Sequence, residues 1–330
     1  MGNSRGSVAG AGWWCTPREV KRLVHSSRRD KPRFRSLNPL TLIASRNDVL
    51  AKCFGDPSAA QRELWLRDWY GAGARPPLRI DRADLREPSF VVIGDTGEGD
   101  VSQYATLAVL ERFGHDTDFM VICSDVIYPA GEVEEYEFKF FHPYRKYLGP
   151  IYALPGNHDW YDDLRGFMFH FCGRDEAPKR KEGSLRGRLR DALWRRQEKP
   201  PAATAVERMR SMRPDPRQQS QLPGPYYVLE TGPVELVAID TGITNCIDRR
   251  QGDWLRARAP ECNLGSCRLV LAAACCGYRL AFRLFLDQVL RPVVRLISVS
   301  SSRRSRARSS SRARIAATSM RRTSRISERP

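Results

Sequence analysis

Phe90-Val91-Val92-Ile93-Gly94-Asp95-Thr96-Gly97 decides the reading of this chain. Four apolar residues, aromatic or β-branched, run straight into a Gly-Asp turn, the pattern of a buried strand ending in a loop. The pattern returns twice. Phe119-Met120-Val121-Ile122-Cys123 leads into Ser124-Asp125-Val126-Ile127-Tyr128, and Ile151-Tyr152-Ala153-Leu154 leads to Gly156-Asn157-His158-Asp159. Helix-length segments separate the three, which predicts a parallel α/β sheet whose ligands gather at the carboxyl ends of its strands. Asp95, Asp125, Tyr128, Asn157 and His158 then meet. Hard oxygen donors with one imidazole suit a pair of divalent or trivalent metal ions that handle phosphate. A single Asp at a strand end is as simply a turn former or helix cap, and a single Tyr is as simply half-buried with its hydroxyl on a carbonyl. Three motifs in order, with 30 residues from Asp95 to Asp125 and 32 from Asp125 to Asn157, leave those bland readings little room.

In order and spacing these motifs resemble the calcineurin-like metallophosphoesterases. Many members of that superfamily carry a His two residues after the first Asp, where this chain has Gly97. The purple acid phosphatases resemble it better, since they read GDxG, then GDxxY, then GNH followed by an acid. Gly97 and Tyr128 occur together here, as in that branch, and the longer spellings GDTGEGD, SDVIYPAG and GNHDWYD are most similar to bacterial members of the broad group. The resemblance covers roughly residues 88–255 and implies a βαβ sandwich of calcineurin-like metallophosphoesterase type. By the same resemblance Asp95 binds a first metal, Asp125 bridges two, Tyr128 binds the first and Asn157 the second. The implied cofactors are two metal ions, iron with iron, zinc or manganese. His158 faces a phosphate ester substrate and stabilises the phosphate or protonates the leaving oxygen, with Asp159 behind it as its orienting partner. The implied reaction is attack on phosphorus by a hydroxide that two metals make available near neutral pH. Phosphomonoesters are the first expectation and phosphodiesters the second. Ser124 departs from the family's usual Gly and removes no ligand.

The second half of such a site is absent from this sequence. The family supplies further imidazoles from a later strand and from a Gly-His-x-His loop, whereas the five histidines here are His25, His115, His142, His158 and His170. Residues 234–242 still read as a strand ending in a turn, and Gln251-Gly252-Asp253-Trp254-Leu255 opens a helix. Beyond Leu255 the character changes. Residues 256–330 hold 17 Arg, no Lys and the three acids Glu261, Asp287 and Glu328, a net +14 of the chain's +17. Ser and Arg make up 21 of the 33 residues in 298–330, a composition that cannot bury a core and predicts disorder. Such a tail can neutralise nucleic-acid phosphates. Arg279, Arg283, Arg291 and Arg295, interleaved with apolar residues, can form a basic amphipathic helix on a membrane surface, although Pro292 interrupts it. A slip of reading frame near Leu255 accounts for it best, because a GC-rich gene read out of frame yields Arg, Ser, Ala and Cys without periodicity. The alternative to an enzyme is a noncatalytic relic or binding protein whose tail contacts nucleic acid or acidic surfaces.

The predicted organisation is a helical lead-in over 1–88, a metallophosphoesterase core over 89–255, an anomalous basic and apolar segment over 256–297, and the tail over 298–330. Thr16-Pro17-Arg18-Glu19 and Ser58-Ala59-Ala60-Gln61 have capping-box spacing, and Gly71 ends the second helix. Trp13, Trp14 and Trp65 read as packing residues before they read as a partner surface. Residues 30–40 and 72–88 read as linkers, 103–113 as a crossover helix, the aromatic-rich 136–147 as core, and 174–223 as a charged helical insertion. The nine cysteines follow no disulfide or zinc spacing, and Cys123 reads as a buried thiol. No basic start followed by a long apolar run opens the chain, and residues 269–278 are too short to span a bilayer, so a soluble cytoplasmic protein is expected. If the frame slips, translation of the other two frames downstream of the Leu255 codon shows a strand, a His and then Gly-His-x-His. Their absence from both frames rules the slip out.

Overall fold

The computed structural model describes residues 43, 45–72, 76–99, 101–114, 116–181, 183–195, 201–258, 267–272, 283–285, 296–300 and 314–318. The three apolar runs form β2 (Phe90–Gly94), β3 (Phe119–Cys123) and β4 (Ile151–Leu154), every residue of them buried. They pair in parallel, β2 with β3 from Phe90 opposite Phe119 and β3 with β4 from Met120 opposite Ile151. Strands buried on both faces need no alternation, which is why these runs are continuous. The helix Val101–Phe113 makes the β2-to-β3 crossover over the predicted span. Phe90 and Phe119 stack across the β2–β3 pair with ring centroids 4.9 Å apart.

A second sheet runs in the order β1-β5-β6-β7-β8. Its centre is the antiparallel hairpin of β5 (Tyr227–Thr231) and β6 (Val234–Ile239). β1 (Arg79–Arg82) lies parallel to β5 as a charged edge strand. Residues 72–88 are therefore not all linker: sheet pairing gives the Arg-Ile-Asp-Arg stretch an order its composition does not announce, and charge on an edge strand blunts further pairing. The two sheets share one hydrophobic core, and the Tyr227 hydroxyl donates to the Ala153 carbonyl at 3.0 Å.

Past Leu255 the helix Arg249–Arg258 continues, and Arg258 pairs with Glu230 at 2.6 Å and Glu235 at 3.2 Å on the second sheet. β7 (Cys267–Ala272) then runs parallel to β6, with Leu271 buried. The second sheet thus reaches Ala272, inside the segment whose composition reads as anomalous. β8 (Arg283–Phe285) pairs with β7, while β9 (Leu296–Ser300) lies parallel to β2 and β10 (Arg314–Thr318) pairs with β9. Five-residue strands thus occur in the span read as a disordered tail. The rest of 298–330 lies outside the described residues, as do Trp13, Trp14 and the Thr16 capping box. Among the described residues, no helix is long and apolar enough to cross a membrane.

The lead-in packs on the core through the helices Arg46–Phe54 and Ser58–Tyr70. Gly71 ends the second with φ 91, as expected, but Ser58 is not its cap: Asp56 Oδ1 accepts the Ser58 N–H at 2.8 Å. Trp65, 1% exposed, donates its indole N–H to the Asp163 carbonyl at 3.0 Å and so belongs to the core. The insertion forms the helices Leu185–Leu193, capped by Ser184, and Ala203–Ser211. In 136–147, Tyr136, Phe140, Tyr144 and Tyr147 are buried while Phe138 is exposed. Replacing a buried Trp by Ala costs about 3–5 kcal/mol. Trp65→Ala is expected to lose that much stability in urea unfolding, and a loss under 1 kcal/mol would show that the lead-in does not share the cooperative core.

Candidate metal centre

The three strand ends meet in one cluster. Main-chain bonds stitch the loops together: Asp95 N–H donates to the Ser124 carbonyl at 3.2 Å, Ser124 N–H to Leu154 at 3.2 Å, and Tyr128 N–H to Gly97 at 3.1 Å. Asp95 (φ 53), Ser124 (φ 79) and Asp125 (φ 43) all occupy the left-handed region, which non-glycine residues seldom adopt. Strain of this kind gathers where the surrounding structure fixes a side chain for use. Ser124 therefore fits where the family has Gly, at a conformational cost.

Asp125 is the hub. It is fully buried, and its Oδ2 accepts the Tyr128 hydroxyl at 2.7 Å while its Oδ1 accepts the His158 backbone N–H at 3.0 Å. Asp95 lies within hydrogen-bonding reach of Asp125, and burial first, then the Asp125 charge, push its carboxyl up to about 8. A buried carboxyl held above its usual range beside a second one is a poor arrangement without a cation, and a nearby divalent ion would oppose both causes of the Asp95 shift. Asn157 points the same way: its Nδ2 donates to the Tyr161 hydroxyl at 2.6 Å, and its Oδ1 is buried with no hydrogen-bond donor. Buried polar atoms left unpartnered are few in folded proteins and call for a reason. A cation supplies one here, so the donor set fits a metal. Among the described residues, no three His, Cys, Asp or Glu side chains converge. The set is two carboxylates, a phenol and an amide.

The His158 ring lies between two tyrosines, its centroid 4.3 Å from Tyr128 and 4.8 Å from Tyr161. Nδ1 meets the Pro129 carbonyl at 2.7 Å, and since a carbonyl only accepts, Nδ1 carries a proton. Asp159 does not orient this ring, contrary to the reading of the motif as a His-acid pair. Its Oδ2 accepts the N–H groups of Val126 and Gly156, each at 2.9 Å, and its Oδ1 accepts Ile127 N–H at 3.0 Å. A carboxylate one residue after His158 reaches the neighbouring loop's backbone instead, and ties the Asp125 loop to the Asn157 loop. His142 and His170 engage other partners, Tyr104 at 3.3 Å and the Val133 carbonyl at 3.0 Å.

Two glycines are dictated by contact. A Cβ on Gly97 would sit 1.8 Å from the Val126 carbonyl oxygen, and one on Gly156 would sit 2.1 Å from Asp125 Oδ1. No side chain fits at 97, so the His that many superfamily members place there has no room in this loop arrangement. Sequence reading missed the support from outside the motifs. The buried Lys139 reaches the Tyr128 carbonyl and pairs with Glu135 at 2.7 Å. Asp240, at the end of β6, accepts Trp160 Nε1 at 2.9 Å and Arg62 Nε at 2.7 Å. An Asp closing an apolar run was the signal for Asp240; Lys139 and Arg62 carried none.

Residues 88–202 match the calcineurin-like phosphoesterase family. The match spans all three motifs and supports the superfamily, with a phosphoesterase type of function and phosphate esters as the substrate class. The calcineurin-like phosphoesterases generally use divalent metals, in keeping with the buried oxygen donors. No curated protein matches the chain. Gly97→Ala drives a Cβ into backbone that cannot yield, and overpacking of this kind costs about 1–3 kcal/mol. A loss at the upper end of that range in urea unfolding is expected, and wild-type stability would show that the Gly97 and Val126 loops are not in contact.

Proposed function

We propose that the chain is a metal-dependent phosphoesterase of the purple acid phosphatase-like branch, acting on phosphomonoesters at a two-metal centre built on Asp95, Asp125, Tyr128 and Asn157. The observation that supports this reading is the buried meeting of the Asp95 and Asp125 carboxyls, together with a buried Asn157 oxygen that no donor satisfies. Gly97 and Tyr128 support the branch, because a first metal without a His two residues after Asp95 needs the Tyr128 oxygen instead. Iron in the first position, with iron, zinc or manganese beside it, follows from a phenolate ligand.

Bound there, the metals supply Lewis acidity that stabilises charge on phosphoryl oxygens and makes hydroxide available near neutral pH. Asp95, Asp125, Tyr128 and Asn157 would hold the metals, Asp125 being the residue that already joins Tyr128 to the His158 backbone. With Nδ1 engaged by the Pro129 carbonyl, His158 would serve the phosphate through Nε2, which must carry a proton to hydrogen-bond a phosphate oxygen or to protonate the leaving oxygen. Asp159 keeps the Asp125 and Asn157 loops in register. The imidazoles that complete such a centre elsewhere in the family have no counterpart after His170 in this sequence, so fewer side chains would hold the metals and slow turnover is the expectation.

The test is hydrolysis of p-nitrophenyl phosphate by the purified chain with iron, zinc or manganese added, against Asp125→Ala and against chelator. Weak, metal-dependent turnover that Asp125→Ala abolishes is expected. Metal-independent turnover, or turnover unchanged in Asp125→Ala, overturns the assignment, and turnover at the rate of intact purple acid phosphatases overturns the impairment.

A further inference from the structure

Asn157 is the one proposed ligand whose two ends differ only in hydrogen-bond sense. A carboxamide presents oxygen on one side and NH2 on the other with nearly the same shape, so its orientation is set by whatever binds the far end. Here that partner is the Tyr161 hydroxyl, 2.6 Å from Nδ2. With the hydroxyl accepting, as it does here, the NH2 group stands at that point and Oδ1 lies the other way, where it is buried and finds no donor.

Tyr161 is held in turn from outside the phosphoesterase region. It is 2% exposed, and its carbonyl accepts a hydrogen bond of 2.5 Å from Nδ2 of Asn47, which is completely buried in the helix Arg46–Phe54. The residues on either side are held from the helix Ser58–Tyr70. Trp65 donates to the Asp163 carbonyl at 3.0 Å, and Arg62 holds Asp240, which accepts the Trp160 indole N–H at 2.9 Å. Ser45 Oγ also reaches the Pro129 carbonyl at 3.3 Å, the acceptor that fixes His158. Asn47, Arg62 and Trp65 all lie before residue 88, where the family match begins.

We propose that Tyr161 is a positioning residue that turns the Asn157 oxygen toward the metal, and that the helices of residues 46–70 are the part of this chain that fixes Tyr161. The proposal rests on the metal-site reading above. It separates orientation from ligation: Asn157 supplies the oxygen, Tyr161 decides that it is the oxygen and not the NH2 that faces the ion, and Asn47 decides where Tyr161 stands.

Calorimetric titration of the full chain with Mn2+ alone tests it. Wild type is expected to bind and Asp125→Ala to lose binding; if wild type does not bind, or Asp125→Ala binds equally, the metal-site reading fails and takes the proposal with it. With that established, Tyr161→Phe is expected to weaken Mn2+ binding about tenfold, the scale on which partners behind a ligand act, and Asn47→Ala to weaken it in the same direction. In an Asn157→Asp background both ends are oxygen and orientation no longer matters, so adding Tyr161→Phe is expected to change affinity less than about twofold. Wild-type affinity in Tyr161→Phe, or an equal loss in both backgrounds, overturns the proposal while the metal site stands. A merely structural tyrosine would lower the melting temperature without this dependence on residue 157. Should Tyr161→Phe not fold, amide exchange in the metal-free wild type decides: slow exchange of the Asn157 side-chain protons supports the bond to Tyr161, and exchange at the rate of an exposed Asn overturns it.

Discussion

The Asp159 carboxylate, fully buried and accepting three backbone N–H groups, is the constraint on which this site depends. Two of its donors, Val126 and Ile127, belong to the loop after β3, and the third, Gly156, precedes Asn157. Loops at a strand end have backbone donors that the sheet no longer satisfies, and burying them unpaired is expensive. One carboxylate satisfies three of them and, in doing so, fixes the loop that carries Asp125 against the loop that carries Asn157. The same residue would have been spent on one ring nitrogen had it oriented His158, and the Pro129 carbonyl fills that lesser role.

Around that tie the site is assembled against its own preferences. Asp95, Ser124 and Asp125 sit in left-handed backbone, and burial with the Asp125 charge holds the Asp95 carboxyl above its usual range. Each feature is unfavourable taken singly, of the order of 1–3 kcal/mol for a strained residue. Close loop packing sustains them, and that packing demands bare backbone at Gly97 and Gly156.

The helices before β1 are a working part of this arrangement. The buried Arg62 holds Asp240 and also pairs with Asp248, while its guanidinium lies 5.3 Å from the Trp160 ring centroid. A buried guanidinium is tolerable only when its charge is met on several sides, and the two acids that meet it lie after the end of β6. The lead-in, the second sheet and the Asn157 loop therefore close on one another through a single charged cluster. Loosening any one of the three disturbs the others.

The sequence by itself determined the three buried strands and the order in which Asp95, Asp125, Tyr128, Asn157 and His158 arrive at their ends, because a continuous apolar run followed by a polar turn has few other ways to fold. Gly71 and the crossover helix were equally legible, each being a local signal read over a few residues. The charged β1, the continuation of the fold to Ala272, and the strands at Leu296–Ser300 and Arg314–Thr318 were not: strand order depends on partners far along the chain, and composition carries no record of them. Within the site, tertiary structure alone decided that Asp159 binds backbone and not His158, that Gly97 has no space for a side chain, and that Asn47, Arg62, Trp65 and Lys139 support the loops. Those facts are distances between residues remote in sequence, such as the 114 positions from Asn47 to Tyr161 and the 178 from Arg62 to Asp240, and only the folded chain measures them.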